Sequence, residues 1–448
     1  MSWPICCHLC QLSQPVLADI TVVVALALVA VAFGTAAVTG DFADIEAEFG
    51  VSDVGTALTV SLMVVGFGWG RASRLVAIDG RRPLWIIPSV FYVVFNIPCA
   101  LAPNIQTLVC RFLYGFFASA PLTLAGGTIS DVWDNNERGL AIALFAAAPY
   151  GGPVLGPIVG GFVGEKLGWR WIICVNMIFA GVVLILCATL PETFAPTILR
   201  KRAARLRAET GRDDIVTEQE LFKASFARVL TETLVRPFPY LLLMSLFIAL
   251  IYGLLYTFIV FGEAYAFSDG IVGLTFCSVL IGLALALLVK PQLEKNYLKR
   301  AAAKGGRADP EDRLVVMILA APFVPPCATL HIWLDEPPVR RARRRNWVGP
   351  ASAGIPFGFG MVVIYSSANA YLIDAFPGYV ASALAAKTVI RSGAGAAMPL
   401  FIVQMFRGLG NGWAASLLAF VALAMVPILV LFYRYGKAIR AKSRRALS

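Results

Sequence analysis

Apolar residues along this chain gather in long unbroken runs, not in the alternation of a half-buried strand or the one-sided stripe of a surface helix. Runs of spanning length lie at about 20–40, 54–72, 84–103, 105–128, 139–164, 170–190, 239–262, 271–289, 314–334, 348–373, 380–405 and 413–433. A helix needs ~20 residues to cross the hydrocarbon of a bilayer, where no water is at hand for backbone N–H and C=O groups. The one long polar interval, 191–238, contains KRAARLRAETGRDD and separates six runs from six. The pattern predicts an all-α membrane protein with twelve transmembrane helices in two pseudo-symmetric six-helix bundles. Residues 1–19 form a short leading segment, 20–190 the first bundle, 191–238 a central loop, 239–433 the second bundle and 434–448 a basic tail.

Composition agrees. Of 448 residues, 58% are hydrophobic and only 15% charged, where a soluble protein has about a quarter charged. Such a chain has no ordinary soluble core large enough for its apolar side chains. The net charge of +11 is not a nucleic-acid stripe on a polar fold; the basic residues fill the gaps between apolar runs. With both termini inside, segments 71–82, 131–138, 192–236, 290–313 and 434–448 hold 27 of the 38 Lys and Arg. The first outer loop, 41–53, carries Asp41, Asp44, Glu46, Glu48 and Asp53 and no base. Retention of Lys and Arg on the cytoplasmic side therefore places both termini in the cytoplasm. Five arginines at 340–345 break the rule, falling where an outer loop is expected.

Six cysteines (Cys99, Cys110, Cys174, Cys187, Cys277, Cys327) lie in or beside apolar runs and read as small core hydrophobes. Cys6, Cys7, His8 and Cys10 cluster too tightly for a metal site without a second ligand pair; lipidation or a stray feature of the gene are the other readings. Residues 1–19 lack the positive start of a cleavable signal. Two histidines leave almost no material for His-based catalysis, and no GxxxxGK[ST] run exists for nucleotide. No metal, cofactor or nucleic acid is expected, and an enzyme is not.

The fifth run carries the strongest local signal, GPVLGPIVGG at 152–161. Gly152, Gly156 and Gly160 recur every four residues and share one helix face, where a neighbouring helix can approach closely. Pro157 removes a backbone hydrogen bond and permits a bend. Gly161 extends the small-residue stretch. The eleventh run, ASALAAKTVIRSGAGAAMP, is also rich in small residues, as parallel six-span repeats would be; chance is the rival reading.

The fifth-run stretch resembles the antiporter signature of major facilitator exporters. With ALAPNIQTLVCRFLYG (100–115), LTLAGGTISDVWDNNERG (122–139), LGWRW (167–171), PET (191–193), IYGLLY (251–256), GIPFGFGM (354–361) and YLIDAFPGYVASALAA (371–386), the chain is similar to fungal twelve-span drug:proton antiporters, a class that includes polyamine exporters. The likeness runs over roughly 20–440. It implies the major facilitator fold, a central cavity between two six-helix bundles, and alternating access.

Arg111 lies inside the fourth run, where an unpaired charge costs at least ~2.5 kcal/mol. The resemblance implies a role in proton coupling; a structural arginine on backbone carbonyls competes. Asp131 and Arg138, with Asp134 and Glu137, end that run, and Asp79, Arg81 and Arg82 resemble the GRRP loop. The family resemblance implies cytoplasmic gates at both places, with a solvated loop as the alternative for the first. The stretch GRASRLVAID before the GRRP loop departs from the family. Departures also fall at 236–240, 263–270 and 325–347, which suggests mis-joined splice segments and a defective product as one reading. Tyr114, Tyr150, Asn176, Tyr252, Tyr256, Tyr365 and Asn369 are polar or amphipathic groups within apolar runs and are candidate cavity residues, each also a candidate core residue. Asp41 reads as one acid of a solvated face, or as a mouth carboxylate for a proton or cation. Lys387 and Arg391 read as snorkelling to the inner surface or pairing with Asp374.

The expected function is proton-coupled export of drugs, polyamines or other small organic compounds by a monomer. The plasma membrane is the expected location, and the vacuolar membrane the alternative. Uptake by symport or facilitated diffusion is the runner-up. A membrane enzyme lacks paired acids at depth, and a sensor usually carries a long soluble tail where this one has about 15 residues.

Overall fold

The computed structural model describes residues 14–70, 80–104, 109–133, 139–211, 216–217, 238–255, 267–303, 309–325, 348–375 and 380–442. Among them no strand forms, as a chain surrounded by lipid requires when its backbone groups must pair within each segment. In the first half, α1 (Gln14–Ala36) continues through a 3-10 turn (Ala37–Asp41) into α2 (Phe42–Phe49). Then come α3 (Asp53–Trp69), α4 (Arg82–Ala100), α5 (Cys110–Val132), α6 (Gly139–Leu167) and α7 (Trp169–Ala188). The polar interval is not all loop, because Ala195–Thr210 forms a basic helix, α8. In the second half, α9 spans Phe238–Leu254, α10 Asp269–Thr275, α11 Cys277–Ala303, α12 Asp312–Ala320, α13 Val348–Ser352 and α14 Gly354–Ala375. The last helix, α15, runs from Val380 to Lys442 and is divided into two spans at Gly410, whose φ of 76° is open to a residue without Cβ.

Nine helices among the described residues are long and apolar enough to cross a membrane, and α3 and the stretch Leu242–Leu254 are shorter apolar helices. These eleven coincide with eleven of the twelve runs. The run 314–334 is seen only in its first part, as α12 and the 3-10 turn Ala321–Phe323. Residues 326–347, with the five arginines, lie outside the described residues, as do Cys6, Cys7, His8 and Cys10.

The packing repeats. In the first half α1 lies on α6, α3 on α5, and α4 on α5 and α7; in the second, α9 lies on α15, α11 on α14, and α12 on α14 and α15. Offset by six spans, the two sets are the same pairs. Even the tight spots correspond. A Cβ on Gly115 of α5 would sit 2.3 Å from the Met63 carbonyl oxygen of α3, and one on Gly358 of α14 would sit 2.3 Å from the Val279 carbonyl oxygen of α11. The halves meet along two seams, α3 with α15 and α6 with α10 and α11.

The glycine face of α6 is seated as its spacing requires. Added Cβ atoms at Gly152, Gly156 and Gly160 would lie 2.4, 2.8 and 2.1 Å from Ala32 or Ala37 of α1 and its extension, while Gly161 turns to Asp269 of α10 at 2.4 Å. Gly151 has nothing within 4 Å. Overpacking a closed helix contact costs ~1–3 kcal/mol. Replacing Gly160 by Ala should therefore lower the melting temperature of the detergent-purified protein, and Gly151→Ala should leave it unchanged.

Candidate functional site at the seam of the two halves

Where α6, α9, α14 and α15 converge, the chain buries two cations. Lys387 and Arg391 are one turn apart on α15 and only 1% and 6% exposed. Residues four apart on a helix share a face, so their charges repel. Lys387 donates to Asn369 Oδ1 of α14, and its Nζ sits 4.1 Å from the Tyr365 ring centroid. Arg391 lies 5.2 Å from the ring of Tyr252 and 5.6 Å from that of Tyr365. Tyr150 of α6 completes the group, edge-on to Tyr365 at 5.0 Å and 6.2 Å from Tyr252. Cation–π contact substitutes in part for lost water. The snorkelling and Asp374 readings of these two residues are both corrected. Neither side chain reaches a surface, and Asp374 is taken by Arg313 at 3.0 Å. A Lys–x–x–x–Arg spacing inside an apolar run was the signal that both share one face at depth.

Of the seven proposed cavity residues, Tyr150, Tyr252, Tyr365 and Asn369 meet here. Tyr256 lies outside the described residues. Tyr114 and Asn176 lie elsewhere, in a network inside the first half around the carbonyl of Gly34. Arg111 Nη2 and Tyr114 Oη both donate to Gly34 O, at 3.0 and 2.9 Å. Asn176 Nδ2 donates to Tyr92 Oη and Asn96 Oδ1, each at 3.1 Å, and Asn96 Nδ2 donates back to the Tyr92 carbonyl at 2.7 Å. Arg111 is 1% exposed, lies 5.5 Å from the Tyr114 ring, and has a buried Nε without a partner. It bonds a backbone carbonyl of α1, the geometry that the structural reading of this residue describes.

Charge clasps sit at the helix ends. Glu192 of the PET stretch accepts the backbone N–H of Arg81 at 2.9 Å and of Arg82 at 3.1 Å, which caps the positive end of α4. Gly80 (φ 114°) makes room, since a Cβ there would lie 2.4 Å from Glu192 Oε2. Arg82 also donates to the Ala188 carbonyl at 3.2 Å, and Arg81 stacks on Phe194 at 5.1 Å. Asp79 and Arg138 lie outside the described residues, and Asp131 occupies the last turn of α5. A corresponding clasp in the second half was not anticipated. Arg313, at the start of α12, pairs with Glu294 of α11 and Asp374 of α14, its guanidinium 3.6 Å from the Tyr297 ring centroid.

The other helix ends hold the acids. Asp41 is 3% exposed with Oδ2 unpartnered, packed against Gly164 of α6, so the solvated-face reading is corrected. Glu48 accepts from Trp169 Nε1 at 2.7 Å and from Arg170, which explains the LGWRW stretch. Polar contacts that bridge the seams include the Asp53–Arg407 ion pair, Glu165 Oε2 accepting from Gly270 N at 3.3 Å, and Ser61 Oγ donating to the Ala396 carbonyl at 2.7 Å.

Residues 24–399 match the Major Facilitator Superfamily. The chain belongs to that superfamily. It is 46% identical over 443 residues to an uncharacterized MFS-type transporter of Schizosaccharomyces pombe, covering 96% of this chain and 79% of that one. It is 42% identical to Polyamine transporter 3 of Saccharomyces cerevisiae, covering 94% of this chain and 69% of the relative. The proton:xylose symporter XylE, an Escherichia coli protein, shares the fold at a TM-score of 0.70, with 16% identity and coverage of 95% and 96% of the two chains. As a member of the superfamily the chain is a multi-pass secondary transporter of small molecules and not an enzyme.

The second-half clasp is testable on its own. Removing one partner from a part-buried ion network leaves charge uncompensated and is destabilising, though less so than in a fully buried pair. Arg313→Met should lower the melting temperature, and adding Glu294→Gln and Asp374→Asn should recover most of the loss.

Proposed function

We propose that this transporter exports small organic compounds in exchange for protons, working as a monomer in the plasma membrane with both termini in the cytoplasm. The observation that carries this reading is the buried polar cluster at the seam, where rocking of one half against the other would expose it to each side in turn. A proton moving down ~100 mV supplies ~2.3 kcal/mol, enough to drive several-fold accumulation without nucleotide. Fungal relatives named as polyamine and multidrug transporters support an organic substrate, and others named as efflux pumps support export.

In this reading Tyr150, Tyr252, Tyr256, Tyr365 and Asn369 contact substrate, and Tyr114 and Asn176 support the first-half wall. Arg111 is the coupling residue. Its orphaned Nε and single carbonyl bond leave it able to exchange partners as α1 moves against α5. Asp79, Arg81, Arg82, Asp131 and Arg138 latch the cytoplasmic end, by analogy with the clasp that Arg313 forms in the other half. Gly152, Gly156, Pro157, Gly160 and Gly161 keep α6 closely packed yet bendable.

Proteoliposomes and a panel of polyamines, cationic dyes, neutral azoles and organic acids test the coupling. An imposed pH gradient should accelerate the flux of at least one class over protein-free vesicles; equal flux with and without the gradient for every class rejects proton coupling. Arg111→Ala should abolish the gradient-dependent part while eluting as a monodisperse particle, and wild-type coupling in that variant would remove its assigned role.

A further inference from the structure

We propose that α8 is a membrane-surface helix that binds the headgroups of anionic phospholipids in the leaflet beside it. Its sequence, APTILRKRAARLRAET, sets five cations, Arg200, Lys201, Arg202, Arg205 and Arg207, against one acid, Glu209. At about 3.6 residues per turn, Lys201, Arg202 and Arg205 fall on one side of the helix. All three are exposed and outside any ion pair among the described residues. Half-buried Ile198 shares that side, and Leu206, 38% exposed, borders it. The other side holds the helix in place, with Thr197 and Ala203 buried.

Position supplies the partner. α7 ends at Ala188 and α8 begins at Ala195. Between them Glu192 accepts the N–H groups of Arg81 and Arg82 at the start of α4, and Phe194 lies against the Arg81 guanidinium. Within α8, the Thr197 methyl lies 3.3 Å from where a Cβ on Gly80 would sit. The first turn of α8 is therefore fixed beside the ends of two spans, at the level where both leave hydrocarbon. A helix held there, with cations set among apolar side chains, offers phosphate oxygens their donors and lets Ile198 and Leu206 meet the acyl boundary. Retention of positive charge on one side of a membrane needs only a number of Lys and Arg; it does not require their gathering on one exposed face of an anchored helix. With both termini in the cytoplasm, as proposed above, the leaflet is the cytoplasmic one, where anionic lipids are concentrated.

Hydrogen exchange of the full chain in lipid nanodiscs, followed by mass spectrometry, reads this segment directly. In discs of phosphatidylcholine with ~30% phosphatidylserine, amides of 195–210 should exchange at least about fivefold more slowly than in phosphatidylcholine alone, and ~1 M salt should remove the difference. Lys201→Gln, Arg202→Gln and Arg205→Gln together should abolish it, while Arg202→Lys with Arg205→Lys should keep it. If the triple variant does not fold, the wild-type contrast between the two lipids decides. Equal exchange in the two lipids, or full protection in the triple variant, overturns the proposal. So does the same slowing when soluble glycerophosphoserine is added to phosphatidylcholine discs, which would make α8 a site for free phosphate esters. The topology fails separately: a tag inserted after Gly211 that antibodies reach on intact spheroplasts moves α8 to the outer face, while slowed exchange in the anionic discs still upholds the lipid contact.

Discussion

Hydrocarbon offers a charge nothing to bind, so a charge inside the bundle needs a partner from the protein, and among the described residues three cations show how one is supplied. Arg111 is answered by the carbonyl of Gly34, Lys387 by Asn369, and Arg313 by Glu294 and Asp374. In each case the partners belong to different helices. The requirement that places the charge therefore also decides which helices meet. Glu192 shows the same constraint at a helix end, where the backbone donors of Arg81 and Arg82, rather than a side chain, neutralise a carboxylate.

The two halves use one packing scheme and fill it differently. Among the described residues of the second half one apolar cluster runs from Met244 to Phe432 and crosses the seam to residues that include Val60, Val64, Ala146 and Val154. Among the described residues of the first half the apolar packing divides into three smaller clusters, one of which contains Tyr92 and Tyr114 of the network around Gly34. Close-packed interiors tend to move as units rather than deform continuously. Polar bridges across the seams, such as Asp53–Arg407, Glu165–Gly270 and Ser61–Ala396, tie the two units together at single points rather than along a continuous core.

The fold was legible because lipid imposes length and apolarity on every span, and those are written locally. The glycine register of α6 was legible for the same reason: a spacing of four residues is a face. Partners distant in sequence were not. Nothing near Ser61 indicates a carbonyl 335 residues away, and nothing near Lys387 indicates Asn369. Asp41 was misread because its neighbours Asp44, Glu46 and Glu48 are acids; position in the 3-10 turn, against a glycine of α6, buries it instead. The clasp of Arg313 escaped notice because its three members come from three helices, and Asp374 was assigned instead to Lys387 and Arg391, its nearer neighbours in sequence.

One helix joins all of these parts. α6 presents Gly152, Gly156 and Gly160 to α1, Gly161 and Pro157 to α10, and Tyr150 to the seam cluster. Pro149, Pro153 and Pro157 each remove a backbone donor from it, which leaves the middle of the helix easier to bend than its neighbours. A ligand shifts a conformational equilibrium only by as much as it binds the two states differently. Tyr150 lies on a helix that packs on α1 in the first half and on α10 and α11 in the second, so a ligand touching Tyr150 acts on a contact that opening of this seam must change. Substrate binding and seam opening are then linked through a single helix, and no longer pathway between them is required.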